Sequence, residues 1–461
     1  MRRIVLLAAV FLAAVGVLPV RADDVSDMKV EMLKMREEQE KQLKLIGDQD
    51  RMIRALVEKV AALEKAGPAK EAPEDSKETA PKAAAPNDLK VCYKDGVCFA
   101  TEDKKFDLKV GGRLNYDVVA LDEDARMRGR FGKVKDDGEM RRARFSMSGN
   151  AYKDFFYKLE YDFVSDPVSL KDAYIGYKGI PYLGSVQAGH FYEPFGFENI
   201  VSTNYLQFVE YGLPVAFSPV RNAGIMLFND AFEQRMTWAT GVFRDADDTG
   251  RLTSNESNWT SRVTALPWYE DEGAKLLHVG GSYSLRYPED TVRYASRPES
   301  HLSPNFVDTG NIKARSVNLY GTEAAVVLGP LSFVSEYQGS VVDQSGFGSH
   351  RDLHGLYAYG SFFLTGEHMP YSKTQGLFTR LKPHHNFSIS DGTFGAVELV
   401  ARYSYLDLKD EGVSGGILSD STIGINWYLT PNVKAMINYI HANLNGVGRA
   451  DIALTRIQVD F

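Results

Sequence analysis

Apolar and polar residues alternate through the stretch 139–163, and this pattern continues over most of the chain. The alternation is interrupted at Gly149-Asn150 and then resumes. One set of positions is apolar or aromatic: Ala143, Phe145, Met147, Tyr157, Leu159, Tyr161 and Phe163. The other set is polar or charged: Arg142, Arg144, Ser146, Ser148, Lys158, Glu160 and Asp162. Because successive side chains of a strand point to opposite faces, the stretch predicts a β-hairpin with one apolar and one charged face.

Strand-like segments of this kind continue from Phe106 to the end of the sequence. They number about eighteen, and since some can merge we expect about sixteen strands, an even number typical of outer-membrane barrels. Tight turns are predicted at Gly329-Pro330 and at Leu429–Asn432. Long loops are predicted at Tyr287–Lys313 and Glu367–Phe394. Short turns at one end of the sheet and long loops at the other are also typical of such barrels.

The beginning of the chain decides between two folds that share this pattern. In a soluble sandwich the apolar face would form the core, whereas in a transmembrane barrel it contacts lipid and the charged face lines the lumen. Residues 1–22 combine Arg2 and Arg3 with an apolar run over Ile4–Leu18 and the small-residue pattern Val20-Arg21-Ala22. This combination indicates a secretory signal peptide, with an uncleaved anchor helix as the alternative. We therefore predict an all-β protein with a transmembrane antiparallel β-barrel over residues 104–461, in the bacterial outer membrane.

Residues 23–66 show a different period. Apolar residues and glutamines recur at alternating spacings of four and three: Met28, Met32, Met35, Gln39, Gln42, Ile46, Gln49, Ile53, Leu56, Val60 and Leu63. This repeat of about 3.5 residues predicts a periplasmic α-helical coiled coil, with a single amphipathic helix as the alternative. Residues 67–88 are rich in proline, alanine and charged residues, which predicts a linker.

Cys92 and Cys98 follow the linker and are the 2 cysteines of the chain. In the oxidising environment outside the cytoplasm, a pair this close predicts a disulfide that closes a small element over residues 89–103. A redox-active pair is the alternative, although the spacing is not that of a CxxC motif.

Composition narrows the possible functions. The chain has 461 residues, a formal net charge of -8 and a mean hydropathy of -0.27. Its mild acidity does not indicate nucleic-acid binding. The 9 histidines are scattered, and His384-His385 have no third ligand nearby in the sequence. Since P-loop, GxSxG and HExxH motifs do not occur in the sequence either, we predict no enzyme activity, cofactor or metal.

Several short motifs are found at separate places in the strand-rich region. They are KFDLKVGGRLNY at Lys105–Tyr116, RRAR and YKLEYDF in the hairpin, LKDAYIGYKG at Leu170–Gly179, GHFYEPFGFE at Gly189–Glu198, YGSFFLTGEHMP at Tyr359–Pro370, Gly424–Thr430 and the closing IQVDF. Together they resemble the phosphate-selective porin family, porins O and P. The resemblance implies a sixteen-stranded antiparallel barrel that forms homotrimers, and a three-stranded coiled coil would fit that symmetry.

The resemblance also implies which residues attract anions. Porins of this family carry arginines on the lumen wall, and a guanidinium group suits phosphate because it is planar, binds oxygens in pairs and stays charged. The residues at matching or inward-facing positions are Arg113, Arg141, Arg142, Arg144 and Arg262. Arg286, Arg293 and Arg297 lie in a long loop that resembles the family's arginine-bearing loop. A solvated charge paired with an acid is the alternative for each of these arginines.

Three positions depart from the resemblance. Asn199 and Tyr211 stand where it implies basic residues, whereas Lys171, which we also predict to line the pore, stands where it implies an acid. These changes weaken the expectation of phosphate selectivity more than that of an anion channel.

The Arg141-Arg142 pair conflicts with simple alternation. The pattern places Arg142 in the lumen and Arg141 toward lipid, where a charge at the bilayer midplane costs ~2–4 kcal/mol. We therefore expect Arg141 near a rim, in a β-bulge or at a subunit contact.

These features together predict an outer-membrane porin through which small anionic, phosphate-like solutes diffuse passively. The alternative is an envelope tether, in which the coiled coil reaches the peptidoglycan layer and the barrel serves as its anchor. Outer-membrane lipid, small anions and two further copies of the chain are the predicted partners.

Overall fold

The computed structural model describes residues 89–93, 96–344 and 350–461. The predicted signal peptide, coiled coil and linker lie outside the described residues and stay predictions. Within the described ranges, no helix is both long and apolar enough to cross a membrane.

Strands make up most of the described chain. In order, they are β1 (Leu89–Tyr93), β2 (Val97–Thr101), β3 (Phe106–Glu123), β4 (Asp137–Ala151), β5 (Phe155–Asp162), β6 (Ser169–Ile180), β7 (Gly184–Tyr192), β8 (Arg221–Ala231), β9 (Met236–Arg244), β10 (Asn258–Glu270), β11 (Lys275–Arg286), β12 (Thr291–Val292), β13 (Ala295–Ser296), β14 (Val307–Asp308), β15 (Ile312–Lys313), β16 (Ser316–Leu328), β17 (Leu331–Asp343), β18 (His350–Phe363), β19 (Tyr371–Ser372), β20 (Leu377–Phe378), β21 (Ala396–Asp410), β22 (Val413–Thr430), β23 (Val433–Leu444) and β24 (Gly448–Asp460). The long strands β3–β11, β16–β18 and β21–β24 form a closed antiparallel barrel of 16 strands, because β24 pairs with β3. The predicted fold class and strand number are confirmed.

Helical segments are short in the part of the chain that the structure describes. The helix α1 spans Ala125–Phe131, just beyond β3. Asp124 caps it by accepting hydrogen bonds from the amides of Arg126 and Met127, each at 2.9 Å. An acidic acceptor at this position satisfies amides that have no partner within the helix. Two short 3-10 helices complete the set: Leu213–Phe217 and Asp271–Gly273.

The hairpin β1–β2 extends the barrel wall along the first residues of β3. Its second strand pairs with Asp107–Val110. Cys92 and Cys98 stand opposite each other in the hairpin and form a disulfide, with their Cα atoms 4.9 Å apart. The hairpin therefore supplies backbone partners to a part of β3 that β24 does not reach.

The barrel closes at a pair of glycines in the GGR motif. Strand β24 pairs with β3 from Arg113 onward, and Phe461 exchanges backbone hydrogen bonds with Gly112 at 2.8 and 3.0 Å. A Cβ atom on Gly112 would lie 2.8 Å from the Phe461 ring and 2.7 Å from the Arg144 carbonyl oxygen. The close approach of the last residue therefore requires glycine at this position.

Side chains alternate between two environments along each barrel strand. On β23, Ile437 is 56% exposed on the outer surface, whereas Asn438 is 2% exposed and faces the lumen. Aromatic rings form a row across the outside of β10, β11, β16, β17, β18 and β21: Trp259, Tyr283, Tyr320, Tyr337, His354 and Tyr405. An apolar outer band bordered by aromatic side chains is typical of a barrel in a membrane. The apolar face is therefore outside and the polar face inside.

Connections at the end of the barrel near Phe461 are mostly tight turns, as at Gly329-Pro330 and Pro431-Asn432. Residues 364–395 are an exception, because this long segment joins β18 to β21 at the same end. The expectation that the long loops share one end was therefore wrong for this segment. Its length is explained by its path, which turns into the barrel and buries apolar side chains there.

The assignment of the outer face predicts the effect of a new charge. Ile425 is 49% exposed on β22, so we expect Ile425→Arg to lower the free energy of unfolding by ~2–4 kcal/mol. Ser146→Arg is the matched control, because Ser146 faces open space inside the barrel from β4 and a charge there stays hydrated. Urea titration of protein refolded into lipid vesicles, followed by tryptophan fluorescence, measures both. Equal losses for the two variants would contradict the assignment.

Candidate functional site

Residues 193–220, between β7 and β8, fold back into the barrel as an inner loop. Its apolar side chains are buried: Phe195, Phe197, Val201, Leu206, Phe208, Val209, Leu213 and Phe217. Amides of the loop donate to wall side chains at 2.9 Å: Phe197 to Glu336, Val209 to Asn438 and Leu213 to Ser404. These hydrogen bonds satisfy backbone groups that the lumen would otherwise bury without partners.

Two buried arginines hold the inner loop by charge. Arg402 of β21 contacts the Glu198 carboxylate at 3.0 Å and donates to the Glu210 carbonyl oxygen at 2.9 Å. The same guanidinium contacts Glu299, between β13 and β14, at 2.6 Å. Arg456 of β24 donates to the Glu210 carboxylate at 2.8 Å. Such charge-assisted contacts fix the loop geometry, since each arginine has several acceptors in one plane.

Two more segments pack inside the barrel beside the inner loop. Residues 287–315 place the ring of Tyr294 against Phe217, with centroids 5.0 Å apart. Residues 364–395 place Phe378 against Phe197, with centroids 5.3 Å apart. Apolar side chains from all three segments pack on the inner walls of β16–β18 and β21–β24. That side of the lumen is therefore filled.

An open space of about 790 Å³ remains between the inner loop and the wall formed by β3–β10. Its lining reaches from Arg221 at the start of β8 to Asn229 near the other end of that strand. The basic residues of the lining are Lys109, Arg113, Arg144, Lys158, Arg221, Arg262, Arg380 and Lys382. The acidic ones are Glu160, Asp172, Glu193 and Asp460. We call this space the channel, and among the described residues its lining carries an excess of positive charge.

Arg113 and Arg144 face the channel from β3 and β4, opposite each other in register. Arg144 contacts Glu160 at 3.0 Å and Asp162 at 2.8 Å. Arg113 lies 3.6 Å from Glu160 and donates to the hydroxyl group of Thr203 in the inner loop. The acids therefore orient both guanidinium groups and neutralise part of their charge.

Two more cations adjoin Arg113 and Arg144 on the same wall. Lys158 lies 3.2 Å from Glu160 and 2.5 Å from Asp172, and Arg221 lies 2.7 Å from Asp172. The Arg221 guanidinium also stacks on Tyr192, 3.9 Å from the ring centroid. Sequence reasoning did not include these two cations in the site. Lys158 and Glu160 are two positions apart on β5, and this spacing could have indicated that Lys158 also faces the lumen. Arg221 directly follows the inner loop, where no alternating pattern indicated the direction of its side chain.

A β-bulge turns both members of the Arg141-Arg142 pair toward the lumen. The register between β3 and β4 shifts at Tyr116, which pairs with Met140, so Arg141 is the extra residue. Arg141 donates to the Glu210 carboxylate at 2.9 Å, and Arg142 lies 3.9 Å from it and is 2% exposed. Burial disfavours the charged form of Glu210, but the guanidinium groups around it prevail and hold its pKa well below the usual range. Both arginines therefore support the inner loop and do not line the channel.

The other predicted basic residues are spread around the barrel. Arg262 lines the channel, and its guanidinium is bound by Glu323 and by the carbonyl oxygen of Gly376 at 3.0 Å. Four residues are not part of the lining and have these partners: Arg286 with Glu193 and Asp245, Arg293 with Asp308, Arg297 with the carbonyl oxygen of His301, and Lys171 with Asp248. Three further lining cations were not among the predicted site residues: Lys109, which alternates in phase with Arg113 on β3, Arg380 and Lys382.

Asn199 and Tyr211, the two departures from the resemblance, have different positions. Asn199 is 2% exposed, and its amide donates to the Pro219 carbonyl oxygen at 3.0 Å within the inner loop. Tyr211 is half-buried and lines the channel. One neutral residue therefore stabilises the loop, and the other presents an aromatic ring to the channel.

A closed antiparallel barrel with an apolar outer band and a charged internal channel defines an outer-membrane porin. Residues 108–461 match the family described as "Phosphate-selective porin O and P", and the chain belongs to this family. It is 26% identical to Porin O of Pseudomonas aeruginosa over 431 residues, 81% of this chain and 93% of that protein. The barrel is also similar to OmpT, an outer membrane protein of Vibrio cholerae, with a TM-score of 0.49 and 10% identity over 77% of this chain and 98% of that chain. An anion-selective porin from Comamonas acidovorans has a TM-score of 0.47 and 11% identity, over 77% of this chain and 100% of that chain.

The contacts of Arg402 predict how the inner loop responds to its loss. Arg402→Ala leaves Glu198 and Glu299 buried without their guanidinium partner, so we expect a loss of roughly 3–5 kcal/mol in unfolding free energy. The released loop should also make single-channel currents noisier. Arg293→Ala is the matched control, because the exposed Arg293–Asp308 pair contributes about 1 kcal/mol or less. Denaturant titration and bilayer recordings measure both effects, and equal stability of the two variants would argue against this anchor.

Proposed function

We propose that this porin passes small anions, phosphate among them, by passive diffusion down their concentration gradient. The observation that carries the proposal is the charge of the channel, whose described lining has eight basic side chains and four acidic ones. A narrow passage between low-dielectric walls strengthens the field of such fixed charges and concentrates counter-ions. The channel then favours anions over cations without any catalytic step.

The arrangement of the cations supports passage as well as attraction. Arg113, Arg144 and Arg221 lie side by side on one wall, around the carboxylate of Glu160, so an anion that leaves one guanidinium is close to another. Each of the three is also within 4.0 Å of Glu160 or Asp172. Partial neutralisation limits how tightly any single site holds an anion, and conduction requires sites that release as readily as they bind.

We further propose that the porin is a homotrimer and that the part of the barrel wall with the short strands β5 and β7 is the subunit contact. Strand β5 has 8 residues and β7 has 9. At ~3.3 Å per residue and a tilt of ~40°, such strands are about 20 Å tall, which is less than the ~25 Å apolar band of an outer-membrane barrel. A neighbouring protein surface covers such a wall better than lipid does. Cross-linked species of three chains in detergent would support the proposal, and a stable monomer in lipid would contradict it.

Anion selectivity is tested by reversal potentials in planar bilayers with a tenfold KCl gradient. We expect wild-type protein to prefer chloride, and Arg113→Ala or Arg221→Ala to reduce the anion-to-cation permeability ratio about tenfold, because one unit charge at ~6 Å in water changes the anion and cation terms about threefold each, in opposite directions. Arg113→Lys keeps the charge and should keep most of the preference. Arg293→Ala, outside the channel lining, should leave the ratio unchanged. A cation preference in the wild-type protein would overturn the proposal.

A further inference from the structure

The two sides of the channel differ in chemistry. The wall of β3–β8 presents Arg113, Arg144 and Arg221. The opposite side is formed by the inner loop and by residues 364–395. It presents apolar and aromatic side chains that are half-buried and in contact with the open space: Ile200, Tyr205, Tyr211 and Leu377. We name these four residues the apolar ledge.

The inner loop, which carries three of the four ledge residues, contains no arginine or lysine. The nearby amide side chain of Asn199 is turned away from the channel and bonded to the backbone of the loop. Tyr205 and Tyr211 pack against a cluster of buried side chains that includes Phe197, Phe208 and Phe378, so their rings are held in place. A strongly hydrated inorganic anion loses water along the inner-loop part of this ledge and gains no counter-charge from it, which is unfavourable. The cations on this side of the channel, Arg380 and Lys382, belong to residues 364–395.

Aromatic rings and guanidinium groups occur together at both ends of the passage. Arg221 stacks on Tyr192 at 3.9 Å, and Arg380 lies 5.5 Å from the ring centroid of Tyr205. A flat anion with a carboxylate on an apolar ring matches this arrangement. Its carboxylate can bind a guanidinium through two oxygens, while its ring packs against tyrosine and aliphatic side chains.

The geometry points to aromatic monocarboxylates, of which benzoate is the simplest, as solutes that this channel binds and passes in preference to inorganic phosphate. The inference rests on the proposed anion channel and specifies its substrate class. The cationic wall supplies the attraction for the carboxylate, and the apolar ledge supplies the discrimination between organic and inorganic anions.

The test measures chloride current through the full-length protein in planar bilayers while sodium benzoate, acetate or phosphate is added. Acetate has the carboxylate without the ring, so it isolates the contribution of the ledge. We expect benzoate to reduce the chloride current at about tenfold lower concentration than acetate, and phosphate to be weaker than benzoate. Bi-ionic reversal potentials should then show that benzoate permeates as well as binds.

Two ledge variants make the inference specific to this surface. Ile200→Ser and Leu377→Ser remove apolar area from the channel, so both should weaken benzoate binding by about threefold while acetate binding is unchanged. Ile200→Val keeps an aliphatic side chain and should retain most of the binding. The inference is overturned if phosphate or acetate binds as tightly as benzoate, or if the serine variants bind benzoate like the wild-type protein. A cation-selective wild-type channel would overturn the proposed function as well, so the two failures are distinguishable.

Discussion

The interior of a bilayer contains no water for an unpaired backbone amide or carbonyl group, and this constraint governs the whole architecture. Each barrel strand is paired on both sides because β24 returns to β3. Where β24 ends, Phe461 and then β2 continue the pairing along the same edge of β3. With the backbone satisfied within the wall, the side chains alone meet lipid and lumen. Alternation of apolar and polar residues is the direct consequence.

A ring of sixteen strands encloses more space than the wall side chains can fill. This chain fills much of it with its own connecting segments, which bring apolar residues and buried acids into the lumen. Burying carboxylates such as Glu198 and Glu210 is unfavourable unless cations accompany them. Arg402 and Arg456 provide that compensation from the wall. The anchored loop in turn leaves the channel open beside β3–β10, so loop stability and channel shape depend on the same contacts.

The candidate site was only partly predictable. Alternation correctly indicated that Arg113 and Arg144 face the lumen, because parity along a regular strand depends on local backbone geometry. It could not place Arg141, since a β-bulge shifts the parity at that residue. It also could not distinguish Arg142, which contacts the inner loop, from the arginines that line the channel. Arg380 lines the channel from the long connection 364–395, where no alternating pattern predicted the direction of its side chain.

Fold class, strand number and the direction of the apolar face followed from the amino-acid order, because a period of two residues is a local property repeated in every strand. The selection of channel cations came only with the tertiary structure. Arg456 meets Glu210 across 246 positions of chain, and Arg402 meets Glu198 across 204. Whether a charge lines the passage or anchors a loop depends on partners that only barrel closure and the inward folding of long connections bring into contact.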